Sequence, residues 1–261
     1  NYAFVADGSS GLAIINVSDP TNPGPPRYVD TNGNAQGVVV SGNYAYVADY
    51  TSGLAIIDIS DLENLGTPVY KNTIGLAYGV AISNNYAYVA DGSAGLAIIN
   101  ISNPASPGTP VYRDTNGGAY GVDVSGNYAF VADQSSGLAI IDISNPISPG
   151  SPVYEKTINN AFDVFIAGNF AYLACSGGSD GLAVINIFDP TSPRTAVYGN
   201  ITGGTSFGVA VTGDYAYLAA SQNGLAIVST NSNDIIHSSG SSAILTLPTP
   251  GSSGSLSAIS N

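Results

Sequence analysis

The chain has 261 residues, of which 44% are hydrophobic and only 9% charged, against roughly 25% charged in ordinary soluble domains. Five basic and 18 acidic residues give a net charge of -13, which excludes nucleic acid and anionic membrane surfaces as partners, because binding phosphate needs clustered Lys and Arg. No apolar run is long enough for a membrane span, and the single Cys175 excludes an intramolecular disulfide.

The segment NYAFVAD at Asn1 recurs with variation at Asn43, Asn85, Asn127 and Asn169, 42 residues apart, and a sixth copy, DYAYLAA, begins at Asp214. Each is followed by a GLAII-type run, opened by Gly11, Gly53, Gly95, Gly137, Gly181 and Gly224. A fixed period of this size marks one supersecondary unit stacked on itself. It divides a single domain, 1–261, into repeats 1–42, 43–84, 85–126, 127–168, 169–213 and 214–261. A chain that opens inside a repeat and contains no Met reads as a processed or trimmed product.

The third repeat displays the elements in order. NYAYVAD (85–91) alternates Tyr86 and Tyr88 with small and β-branched residues and stops at Asp91-Gly92-Ser93. GLAIINIS (95–102) follows as a second strand across a short Gly-containing loop, a hairpin signal. NPASPGTP (103–110) is a loop that no helix could cross. TPVYRDT (109–115) and AYGVDVSG (119–126) supply the third and fourth strands.

These strands are apolar on both faces, as happens when a sheet packs between two neighbours. Four strands in a period of this length predict an all-β fold, a six-bladed β-propeller of four-stranded antiparallel blades. GVVVS (37–41), GVAIS (79–83) and GVAVT (208–212) suit the crowded inner position. The sixth repeat turns irregular over 229–241, and 241–248 serves as an outer strand. GSLSAISN (254–261) resembles the inner strand GVAISN (79–84). The ring is therefore expected to be closed by the C-terminal strand, 254–261 pairing beside 1–7 in the first blade, which also hides edge strands.

NYAYVAD followed by GLAIIDIS and a Pro-containing loop resembles the LVIVD-repeat β-propeller family. Leu54-Ala55-Ile56-Ile57-Asp58 stands where that family has Leu-Val-Ile-Val-Asp. The resemblance covers the chain except 229–253 and departs at Asn16, Asn100, Asn186 and Ser229, where the family's Asp is replaced. It implies a secreted or cell-surface setting more than an activity. The Lys-poor, Asn/Ser/Thr/Gly-rich composition points the same way.

Three groups of residues stand out. Asp7, Asp49, Asp91 and Asp133 recur once per repeat, with Cys175 and Ala220 in the last two. Carboxylates suit a hard cation such as Ca²⁺. An Asp at a strand end before Gly or Ser also makes a local turn bond, and that structural role is expected, with no metal. Asn16, Asp58, Asn100, Asp142 and Asn186 are expected to cap the following loops. Gln36, Tyr78, Tyr120, Phe162 and Phe207, just before the inner strands, with Asp123 and Asp163 nearby, are the ligand-binding candidates. Placed near a channel mouth, such aromatics could stack on sugar rings or wedge between blades as core.

Catalytic signals are sparse: His237 is the single histidine, no metal-binding or nucleophile motif occurs, and Cys175 is expected to be a free, partly buried thiol. Asn16, Asn100 and Asn200 open N-glycosylation sequons. The expected function is a non-catalytic extracellular or cell-surface module, binding or structural, without cofactor. Its partners would be surface glycans or other copies of itself. The alternatives are a self-assembling filament or surface-layer subunit, and a channel-mouth lyase or hydrolase.

Overall fold

The computed structural model describes residues 1–176, 181–199, 201, 205–221 and 224–230, together with the backbone of two strands at 243–246 and 257–260. Each repeat is an antiparallel meander, and no helix occurs among the described residues. The first sheet contains β1 (Tyr2–Ala6), β2 (Leu12–Asn16) and β3 (Arg27–Val29). The second runs β4 (Gly37–Ser41), β5 (Tyr44–Ala48), β6 (Leu54–Asp58), β7 (Val69–Lys71). The third comprises β8 (Gly79–Ser83), β9 (Tyr86–Ala90), β10 (Leu96–Asn100) and β11 (Val111–Arg113). The fourth contains β12 (Gly121–Ser125), β13 (Tyr128–Ala132), β14 (Leu138–Asp142) and β15 (Val153–Glu155).

The fifth sheet holds β16 (Ala161–Ala167), β17 (Phe170–Cys175), β18 (Leu182–Asn186) and β19 (Val197–Gly199). The sixth has β20 (Ser206–Thr212), β21 (Tyr215–Ala220) and β22 (Gly224–Ser229). Lastly, β23 (Ala243–Thr246) pairs with β24 (Ser257–Ser260). A strand is present within the expected 241–248 as β23, but it pairs with β24 in a separate two-stranded sheet and not as the outer strand of the sixth. The expected pairing of 254–261 beside 1–7 falls partly outside the described residues; the ladders seen at the two ends are β1 with β2 and β23 with β24.

Contacts group the chain into two compact units. The first is Asn1–Val122 with Ser144–Pro149, and the second is Asp123–Ile143 with Gly150–Asn261. In the first unit, the apolar run of β6 serves two cores. Ala55 and Ile57 join Leu12 and Ile14, while Leu54 and Ile56 join Ala97 and Ile99. Successive side chains of a strand point to opposite faces, so an unbroken LAII run is what a doubly buried sheet requires. In the second unit, Leu138 and Ile140 pack with Ala183 and Ile185, and Leu182 and Val184 with Ala216 and Leu218. Each fully buried Leu or Ile contributes about 1.5–3 kcal/mol, so this run is a main stabiliser of the second to fifth sheets; in the sixth, Leu225 is exposed.

The Gly that opens the run in the first four repeats is a backbone requirement. Gly53 has φ +73, and a β-carbon there would lie 2.5 Å from the carbonyl oxygen of Lys71 on the neighbouring outer strand. Only Gly tolerates both the left-handed conformation and that approach.

Candidate functional site

Two of the repeated carboxylates, Asp49 and Asp91, tie loops together, reaching beyond the purely local turn expected. In Asp49, the main chain closes the β5–β6 hairpin: its N–H donates to Gly53 O at 2.8 Å, and its carbonyl accepts from Ser52 at 2.9 Å. The side chain reaches back to the preceding loop. It accepts the Thr31 hydroxyl at 2.7 Å and the Gly33 N–H at 2.8 Å. Asp91 repeats this with Thr73 and with the Gly75 N–H at 2.9 Å. Burial raises the pKa of both carboxyls, against the opposing pull of these bonds. Asp133 is also buried, and Asp7 is exposed.

Cys175 takes the Asp position in the fifth repeat and is fully buried, more so than the partly buried thiol expected. With no carboxylate opposite, the Thr157 hydroxyl donates to the Asn159 carbonyl instead, at 2.6 Å. The Asn/Asp series behaves as expected. Asn16, Asp58 and Asn100 each accept the N–H two residues on, from Ser18, Ser60 and Ser102, at 2.9 Å. Asn186 does the same with Phe188 at 3.0 Å. Two of the three sequon asparagines, Asn16 and Asn100, thus carry loop-capping roles, while Asn200 and His237 lie outside the described residues.

The residues preceding the inner strands fall into two groups. In the first unit, Tyr78 stacks on Tyr120 with ring centroids 4.1 Å apart and planes 11° apart. Tyr50 meets Tyr78 edge-on at 5.5 Å and 73°. Loss of hydration, followed by hydrogen bonding with Tyr120 and Tyr50, raises the Tyr78 hydroxyl above the ordinary phenol range. Gln36 is exposed, and its amide donates to the Asn34 side-chain oxygen. In the second unit, Phe162 and Phe207 lie 5.3 Å apart, tilted by 42°, with Phe207 56% exposed.

Asp123 and Asp163 sit nearby as latches between inner strands. Asp123 on β12 accepts the Ile166 N–H of β16 at 2.7 Å. Asp163 on β16 accepts the Val209 N–H of β20 at 3.0 Å. Each also accepts the N–H of the following residue, at 2.8 and 2.9 Å. Burial raises both carboxyls, Asp163 to about 6, with the neighbouring Asp123 charge as a minor contributor.

Tyr50 is the member of this tyrosine cluster that sequence reasoning missed. It lies at a position held by Gly8 and Gly92 in the first and third repeats and by Gln134 in the fourth. Its φ is +49, close to the +56 of both glycines. A bulky residue in the left-handed region is an outlier, and Tyr in a Gly column of the repeat was the signal that could have found it.

The LVIVD repeat family model matches six times, over residues 1–31, 32–67, 74–111, 116–151, 159–199 and 203–245. No curated protein matches the chain. Among solved structures, a candidate 6-phosphogluconolactonase from Bacteroides uniformis is similar at a TM-score of 0.72 and 16% identity, covering 87% of this chain and 77% of that one. The β-propeller domain of Myceliophteria thermophila Cps50 (Swd1) is similar at a TM-score of 0.68 and 12% identity, over 93% and 85% of the two chains. A chain of the nidogen/laminin complex reaches 0.66 at 9% identity, over 88% and 89%. Likeness at such low identity shows the fold alone, the six family matches give an all-β propeller of six blades, and function is left to the site.

Proposed function

Because the chain belongs to the LVIVD-repeat family, we propose that it serves as a non-catalytic propeller module outside the cell or at its surface, binding or scaffolding other molecules. One observation carries this reading. The residues at the inner-strand edges are aromatic or amide, Gln36, Tyr78, Tyr120, Phe162 and Phe207, while Asp123 and Asp163 there hold backbone N–H groups. Rings and amides are the equipment of recognition. A composition poor in Lys and rich in Asn, Ser, Thr and Gly supports the extracellular setting. Immunogold labelling of intact source cells tests the location: label outside the envelope is expected, and label confined to the cytoplasm would overturn it. A substrate turnover abolished by alanine at Asp163 or Tyr78 would overturn the non-catalytic part.

A second reading, self-assembly by strand addition, is favoured by β1. Val5 is 41% exposed where Val47 and Val89, in the same register, are fully buried. β1 is also the edge of its sheet among the described residues, which a strand from another copy could extend. Sedimentation that shows only monomers across concentrations would remove this reading.

A further inference from the structure

The tyrosine cluster of the first unit is more specific than a generic binding face. The turn holding Tyr50 has the same left-handed geometry as those of Gly8 and Gly92. Glycine therefore satisfies the backbone there with less strain than Tyr does. The local fold gives no reason for a Tyr, so its contribution is the contact its ring makes, edge-on to Tyr78 and thence to the stacked Tyr120.

This cluster is not ordinary core. Tyr46, Tyr88 and Phe130, which do belong to the core, are only 4%, 2% and 1% exposed. Tyr50, Tyr78 and Tyr120 are each half-buried. The backbone beside Gln36 abuts that of Tyr78, since a β-carbon at Gly37 would lie 2.9 Å from the Tyr78 carbonyl oxygen. The exposed amides of Asn34 and Gln36 lie in the segment that leads into that contact.

The resulting surface offers aromatic faces and edges, phenol hydroxyls and neutral amides. It sits on a chain of net charge -13, whose field disfavours anionic ligands. Rings that present C–H groups on one face and hydroxyls at the rim match that chemistry. We infer that Tyr50, Tyr78 and Tyr120 form a subsite for a neutral sugar ring, with Tyr50 as its specificity-determining residue. This inference rests on the binding-module reading above.

Calorimetric titration of the full chain with cellohexaose, mannohexaose and chitohexaose tests it, with oligogalacturonate as the anionic control. At least one neutral probe is expected to bind and oligogalacturonate to fail. Tyr50→Gly should weaken binding by about tenfold or more with an unchanged unfolding midpoint. Tyr78→Phe, which keeps the ring and removes its hydroxyl, should weaken it severalfold and serves if Tyr50→Gly does not fold. The subsite is refuted if no neutral probe binds at millimolar concentration, if oligogalacturonate binds as well, or if neither variant changes affinity. Sugar binding that both variants leave untouched would refute the subsite while sustaining the binding-module reading. That reading falls by cytoplasmic location or turnover instead.

Discussion

The two compact units hold their inner strands together in different ways. In the first, glycine lets successive backbones touch. A β-carbon at Gly37 would lie 2.9 Å from the Tyr78 carbonyl oxygen, and one at Gly79 would lie 2.7 Å from that of Tyr120. In the second, Asp163 occupies the corresponding repeat position. The β16–β17 register shifts between Ala161 and Asp163, and the carboxylate spans to the Val209 N–H. A β-carbon at Gly208 would meet only ordinary contacts, 3.6 Å from Ala219 and 3.7 Å from Asp163. One repeat thus supports two kinds of joint, a close backbone approach and a carboxylate bridge. Only the second contains a titrating group.

The largest expected effect breaks the close-approach joint. Gly79→Val should cost on the order of 3 kcal/mol, because its new atoms meet backbone that cannot yield. Gly208→Ala should cost less than about 1 kcal/mol, lacking such a clash. Urea unfolding of both variants checks this, and equal losses would erase the distinction between the joints.

The next effect is pH dependence in the second unit. Asp163 is raised to about 6 when folded, above the roughly 3.9 of an unfolded Asp. Between those values the folded chain holds the extra proton. Stability from this group is therefore greatest at low pH and is lost as pH rises through about 6, by on the order of 3 kcal/mol. Asp163→Asn should flatten that part of the stability profile between about pH 4 and 6. Any slope that remains belongs to Asp49, Asp91, Asp123 and Glu155, which are raised in the same direction. A profile unchanged by the substitution would show that Asp163 is not the bridging acid.

A smaller contrast concerns the threonines. Thr73 donates to the buried Asp91 carboxylate, and Thr157 to a neutral carbonyl. Thr73→Val should cost about 2 kcal/mol and Thr157→Val about 1 kcal/mol, since bonds to charged groups are worth more. Thermal unfolding resolves the two, and the reverse order would contradict the assigned partners. The smallest effects belong to the left-handed residues. Tyr50→Gly and Gln134→Gly should each stay within about 1 kcal/mol of the parent, strain relief offsetting glycine's entropy. A larger loss at Tyr50 would mean that the ring is structural.

Most of the architecture was legible because the period repeats the same physical demands. LAIID must face two neighbours, and Gly53 must admit Lys71. The site was less legible. Tyr78, Tyr120, Phe162 and Phe207 could be placed beside the inner strands by their spacing. The pairing of Tyr78 with Tyr50 could not, because it joins residues of two strand ends through a turn whose handedness no apolar pattern encodes. Asp163 read as a ligand candidate because its bond to the Val209 N–H joins residues of two repeats, which periodicity within one repeat does not encode.

An NMR pH titration of backbone amides tests the contrast between the two joints most directly. The Val209 and Ile166 amide protons, which face the Asp163 and Asp123 carboxylates, should move with pH, Val209 with a midpoint near 6. Those of Val38 and Val80, beside the glycine contacts of the first unit, should stay flat over the same range. A flat Val209, or all four amides moving together, would contradict the account.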